Sequence, residues 1–218
     1  MPDQPILVCF AVKEEARPFQ RLVGARPNIK TLLTGMGQRN AEKSIRATLA
    51  VEKSAMVLSC GFAGGLNPEL ATGTVVFSLA NNAALETQLR NAGARPAKFH
   101  CATRVATTVA EKSALRQKTG ADAVEIESQI IAAVCAEHKI PCATVRVILD
   151  PANEDLPLDF NKLMNAGQQM DYGRLAWAIA KSPGKIGALM RLQKQSVAAA
   201  GTLADTLMKF LSAPWPRL

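Results

Sequence analysis

Short, β-branched apolar runs recur along this chain, each separated from the next by a longer stretch with helical spacing, and that alternation restricts the possible folds more than any other feature. "ILVCFAV" (6–12), "TLLT" (31–34), "AMVLSC" (55–60), "TVVFSLA" (74–80) and "ATVRVIL" (143–149) read as strands, several of them apolar on both faces. Between them, "QRNAEKSIRATLAVEKS" repeats Ala41, Ile45 and Leu49 at helical intervals, and "ESQIIAAVCAEHK" does the same with Ile130, Ile131, Val134 and Cys135. A strand buried on both faces needs helices above and below it. The expected fold class is therefore α/β, a three-layer α/β/α sandwich around a central mixed, mostly parallel sheet. One domain over residues 1–218 is expected, with its core at about 5–155 and a helical extension at about 156–218. Sheets of this kind take ligands beyond the carboxyl ends of their strands, so the residues just after each apolar run are the ones to weigh for chemistry.

The net charge of +8 is concentrated beyond residue 170, where the helical stretch also carries Ile186, Leu203 and Leu207. That stretch reads in two ways: as packing helices with a solvated basic face, or as a basic amphipathic surface making peripheral contact with a membrane of anionic lipid. Aromatic residues make up only 5% of the chain and are not interleaved with arginines, so no nucleic-acid platform is expected. The five cysteines are scattered through apolar runs, and His100 and His138 lie in no ligand pattern, so neither a disulfide framework nor a metal site is expected. With an N-terminal run too short for export or for spanning a bilayer, the expected setting is cytoplasmic.

Three strand ends carry candidate chemistry. In "AVKEEARPF", Glu14 and Glu15 open a helix, where a carboxylate is favoured by the dipole and also available for a site. "CGFAGGL" (60–66) is expected to turn sharply after its strand and expose backbone N–H groups, and "TGMGQRN" (34–40) is a strand-to-helix turn whose N-terminus suits an anion. Asp150 comes directly after the last apolar strand and precedes Pro151. It is either a turn residue or a partly desolvated carboxyl able to donate a proton. In "GADAVEIESQI", Glu125 and Glu127 would leave one face of a strand together, and a buried carboxylate requires a partner, either an internal cation or a polar ligand such as a sugar.

Taken in order, "ILVCFAVKEEA", "LLTGMGQRNAEKS", "VLSCGFAGGLNPELATGTVV", "GADAVEIES" and "PCATVRVILDPAN" resemble the nucleoside phosphorylase and nucleosidase superfamily, in particular its methylthioadenosine and adenosylhomocysteine nucleosidases. The stretch "EDLPLDFNKLMNAGQQMDYGRLAWAIAKSPGKIGALMRL" resembles the hopanoid-associated phosphorylase family, whose proposed substrate is adenosylhopane. The resemblance implies a nucleoside phosphorylase-like fold and an enzyme that cleaves a purine N-glycosidic bond. It further implies that Glu127 binds the ribose hydroxyls, with Glu125 and Ile126 on the same wall. Asp150 would protonate the purine at N7 and Glu15 would organise a nucleophilic water, while Phe62, Ala63 and Gly64 would lie beside sugar and base.

Two positions depart from the family pattern. Phe62 and Leu149 stand where serines are usual, so the group that orients Asp150 must come from elsewhere; and "TRVATT" (103–108) offers no aromatic to stack on a purine. Phosphorolysis needs fixed cations on the phosphate, and neither Arg17 nor Arg39 falls on the phosphorolytic pattern, while Glu15 would repel the dianion. Hydrolysis without a cofactor is therefore expected, with phosphate as the alternative co-substrate. The implied partners are a small nucleoside substrate with an apolar tail and a second copy of the chain in a homodimer.

Overall fold

The structure is a computed structural model and describes residues 4–80, 82–165 and 171–214. In chain order it comprises β1 (Ile6–Phe10), α1 (Lys13–Val23), β2 (Ile29–Leu33), α2 (Gln38–Val51), β3 (Met56–Gly65), β4 (Val75–Leu79), α3 (Ala83–Asn91), β5 (Arg95–Pro96) and β6 (Phe99–Cys101). Next come α4 (Val109–Thr119), β7 (Ala123–Glu125), α5 (Ser128–Glu137), β8 (Cys142–Asp150), a 3-10 turn (Phe160–Leu163), α6 (Tyr172–Lys181), a second 3-10 turn (Pro183–Lys185) and α7 (Ile186–Ser212). Residues 166–170, inside the second resembling stretch, lie outside the described residues.

The sheet has eight strands in the order β2-β1-β3-β8-β4-β5, with β7 pairing to β3 and β6 to β7. Pairing is parallel from β2 through β8 and antiparallel at β4–β8 and β3–β7, the mixed, mostly parallel arrangement expected. One side of the sheet is covered by α1, α3 and α7, where Phe10, Phe19, Leu203, Leu207 and Phe210 share a buried cluster; the other is covered by α2 and α5 through Ala41, Ile45, Ile131 and Val134. Fully burying each large apolar side chain here stabilises the fold by about 1.5–3 kcal/mol. No helix among the described residues is long and apolar enough to cross a membrane.

Two expectations give way. The glycine-rich run at 60–66 does not turn: β3 continues through it to Gly65, paired to β8 as far as Asp150 across a bulge between Ala63 and Gly64. Gly61 sits at φ +146°, and a Cβ there would lie 2.5 Å from Arg146 Nη1 and 2.7 Å from Glu15 Oε1. The glycine is needed for a close approach of side chains to the strand, not for a chain reversal. The second concerns the two glutamates, which do not share a strand face, because β7 ends at Glu125 and Glu127 is the N-cap of α5.

Candidate active site

Glu15, Glu125 and Glu127 gather around an arginine where β3, β7 and β8 meet the starts of α1, α2 and α5, whereas Asp150 is met by a lysine, and neither Asp150 nor Glu15 lines the cavity that Glu127 lines. Arg146, in the middle of β8, is 1% exposed. Its Nη1 donates to the Cys60 carbonyl at 2.7 Å, and its Nη2 donates to Glu125 Oε2 at 2.8 Å and to Ser59 Oγ at 3.3 Å, with Glu127 Oε2 3.5 Å away. Burial works against the guanidinium charge, but Glu125, Glu127 and Glu15 outweigh it and leave the pKa raised.

The three carboxylates around this cation differ in what else they hold. Glu125 is fully engaged inside the protein: its oxygens accept from the backbone N–H of Glu127 (3.0 Å) and Ser128 (2.8 Å) and from Ser128 Oγ (2.7 Å), and its side chain is 1% exposed. Burial alone would raise its pKa, yet Arg146 and the Ser128 bonds lower it. Glu125 therefore braces the start of α5 and the arginine. It does not line the cavity that opens beside Gly37, which corrects the expectation that it shares a sugar-facing wall.

Glu127 does line that cavity. Its Oε1 accepts from the Gly37 N–H at 2.9 Å, so the anion drawn to the N-terminus of α2 is an internal carboxylate. Burial raises its pKa, with Arg146 and the Gly37 N–H pulling the other way. Glu15, in the first turn of α1, accepts from the N–H groups of Ala11 (3.0 Å) and Val12 (3.3 Å), capping its own helix, and through Oε1 from the Phe62 N–H at 2.9 Å across the sheet. Burial pushes its carboxyl up to about 7, against the opposing effects of Arg146 and Phe62. Both helix capping and a place in the cluster hold for this residue; its neighbour Glu14 is exposed.

Asp150 ends β8 and is met by Lys112 of α4, whose Nζ lies 2.6 Å from Oδ2. Lys112 is 0% exposed and donates at 2.8 Å to the carbonyls of Pro151 and Glu154. Burial pushes the Asp150 carboxyl up to about 6 even with the ammonium beside it. Gly64 borders Asp150: a Cβ on it would lie 3.3 Å from Oδ2.

The cavity, about 270 Å³, is bounded by Met36, Gly37, Thr103, Arg104, Val105, Ile126, Glu127, Asn161, Met164 and Asn165. Ile126 and Glu127 are on it, and the "TRVATT" segment supplies part of the wall. Asn161 holds that segment in place with both ends of its amide: Oδ1 accepts from the Val105 N–H and Nδ2 donates to the Val105 carbonyl, each at 2.9 Å. Phe62, Ala63 and Gly64 are not on this lining; Phe62 is partly buried against the main core, Ala63 is buried in a second cluster, and Gly64 adjoins Asp150. Arg17 and Arg39 are both exposed. Among the described residues, no group of three or more His, Cys, Asp or Glu side chains is placed to hold a metal.

Sequence reading missed two residues. Arg146 had a visible signal, a lone cation inside the apolar run "ATVRVIL"; the internal-cation partner considered for the two glutamates is this residue. Lys112 had none, because it sits among Glu111, Arg116 and Lys118 in a helix that looks wholly solvated.

Residues 82–171 match the family described as the phosphorylase superfamily. The matched stretch is less than half of the chain. A methylthioadenosine/adenosylhomocysteine nucleosidase of Shewanella sediminis is 29% identical over 171 residues, covering 62% of this chain and 74% of the relative, and that of Shewanella halifaxensis is 27% identical over 173 residues, covering 62% and 75%. Among solved structures, a Helicobacter pylori methylthioadenosine/adenosylhomocysteine nucleosidase superposes with a TM-score of 0.72 at 16% identity, covering 97% of this chain and 99% of that one. The futalosine hydrolase of the same organism superposes with a TM-score of 0.68 at 16% identity, covering 94% and 97%. Structural likeness at such identity establishes the fold alone.

Proposed function

We propose that this protein hydrolyses the purine N-glycosidic bond of an adenosyl compound, with adenosylhopane giving adenine and ribosylhopane as the favoured substrate. The coarse activity, cleavage of an N-glycosidic bond, accords with the superfamily. The observation that carries the reading is Glu127, a buried carboxylate opening onto a cavity otherwise bounded largely by Met36, Val105, Ile126 and Met164. A carboxylate in such surroundings suits a polar group that donates two hydrogen bonds, as a ribose diol does, and charge-assisted bonds of this kind are about twice as strong as neutral ones.

Asp150 donates a proton to N7 of the departing purine, and the C–N bond breaks towards an oxocarbenium-like sugar. Glu15 accepts a proton from the water that attacks the anomeric carbon, and the net products are adenine and the ribosyl compound. One cation among three carboxylates leaves the Arg146 cluster negative when all are ionised, and that potential favours positive charge developing on the sugar. The exposure of Arg17 and Arg39 supports water over phosphate.

An apolar tail fits the methionine-lined wall and the outer helices. Trp177 is 62% exposed, with Lys181 Nζ 3.9 Å over its ring, and Met190 and Val197 are exposed beside Lys185, Arg191 and Lys194. We assign this basic, apolar surface to peripheral contact with anionic lipid, and a second copy of the chain to closing the cavity in a homodimer. The alternative substrate, a small nucleoside such as methylthioadenosine, is favoured by the Shewanella relatives.

The test is release of free adenine from adenosylhopane and from methylthioadenosine, with and without phosphate, by wild type and Asp150→Asn. Turnover that needs no phosphate, prefers the long tail and falls at least about 100-fold in the variant is expected. Indifference to the tail would transfer the assignment to the small nucleoside, and phosphate dependence would replace water as nucleophile.

A further inference from the structure

Asp150 is held by a residue from a different part of the chain. Lys112 is completely buried, yet every contact the structure gives its ammonium is polar: the Pro151 carbonyl at 2.8 Å, the Glu154 carbonyl at 2.8 Å and Asp150 Oδ2 at 2.6 Å. The two carbonyls accept hydrogen bonds from the ammonium, and Asp150 Oδ2, a buried oxygen without a hydrogen-bond partner of its own, is held beside it as an ion pair. Burying a lysine costs several kcal/mol unless its charge is matched, and an apolar residue would fill this position in α4 more cheaply if packing were its only task. The helix is aimed by its own cap: Thr108 Oγ1 accepts from the Glu111 N–H at 3.2 Å while Glu111 Oε2 accepts from the Thr107 N–H at 2.7 Å.

We propose that Lys112 is the positioning residue of the proton donor: it grips Oδ2 of Asp150 and the turn after β8, which leaves Oδ1 as the oxygen that meets the base. This rests on reading Asp150 as the acid. The residue before it, Leu149, has no side-chain hydrogen bond to give, and the neighbours from β3 and β7, Gly64 and Val124, are uncharged. The charged groups acting on Asp150 among the described residues are Lys112, which favours its ionised form, and Glu154, which opposes it. Lys112 thereby also sets the pH at which the donor carries its proton. Removing the ammonium should move the Asp150 titration upwards, because the ionised carboxyl loses its counter-charge in a buried site.

The experiment compares wild type with Lys112→Met and Lys112→Gln, the second retaining a donor for the carbonyls in case the first does not fold. In both, kcat for base release should fall at least about tenfold with KM within about threefold, and the pH of maximum activity should rise. A purely structural lysine would lower the amount of folded enzyme without moving that maximum. Carbon-13 NMR of the Asp150 carboxyl, assigned by its loss in Asp150→Asn, reads the same effect without turnover and should show titration at higher pH in both variants. An unchanged Asp150 titration overturns the proposal, as does an unchanged kcat and pH maximum in an active enzyme. Should wild type release a base from no nucleoside while the Asp150 titration still moves, the functional reading fails and the Lys112–Asp150 coupling stands.

Discussion

Arg146 and Lys112 are both buried cations, but they are charged differently by their surroundings. Arg146 serves three carboxylates, two of which are pushed towards their protonated forms, whereas Lys112 serves one carboxylate and two carbonyls in a matched arrangement. The first cluster has more carboxyl groups than cations in the middle of the sheet and, with all three ionised, would answer the positive sugar of the proposed reaction. The second is balanced at the end of a strand, where the proposed acid stands. The difference teaches that burial of a salt bridge says little by itself; the ratio of cations to carboxylates decides whether a network is scaffolding or is poised to respond to a ligand.

Breaking the arginine side should have the largest effect. Arg146→Met leaves Glu15, Glu125 and Glu127 buried without their cation and should lower folding stability by about 3–5 kcal/mol, read in a urea melt at neutral pH. Loss of less than about 1 kcal/mol would mean that the cluster is solvated. Glu127→Gln should spare folding and reduce kcat/KM by about 10- to 100-fold, the range for losing a charge-assisted hydrogen bond in a buried site, while an analogue lacking the ribose hydroxyls should be insensitive to the change.

The pH profile sharpens the comparison further. Glu15 must be ionised to act as base and Asp150 protonated to act as acid, but burial places the first at about 7 and the second at about 6. With the proposed roles the two would work in reverse protonation, and kcat/KM should trace a bell whose maximum lies between these values. Stability tracks the same shift: Glu15 is raised from 4.5 to about 7 in the folded state, so its contribution is full below pH 4.5 and is lost as the pH rises through 7. Melting temperature should therefore drop less over that window in Glu15→Gln than in wild type. The smallest effect expected is from Asn161→Ala, about 1 kcal/mol in stability for three lost hydrogen bonds at a partly exposed wall, with a raised KM.

Much of the fold was legible because it rests on periodicity. Ala41, Ile45 and Leu49 mark α2, Ile131, Val134 and Cys135 mark α5, and the apolar runs mark the five longer strands. Glu15, Glu127 and Asp150 were legible as carboxylates at element ends. What could not be read locally depended on distant partners: Gly61 belongs to a strand because Arg146 and Glu15 press against it, and Lys112 is internal because Asp150 lies 38 positions further on. The same holds for Glu125, whose role was decided by the N–H groups of α5 rather than by strand alternation.

The paired bonds between Asn161 and Val105 tie the chain just after β8 to the chain just before α4, so neither segment can swing outwards alone. On the proposed reading, a bulky guest entering beside Glu127 would have either to lift both together or to break these two bonds. The amide hydrogen of Val105, shielded by the Asn161 oxygen, would exchange with deuterium only at the rate of that opening, and would slow when the guest is seated.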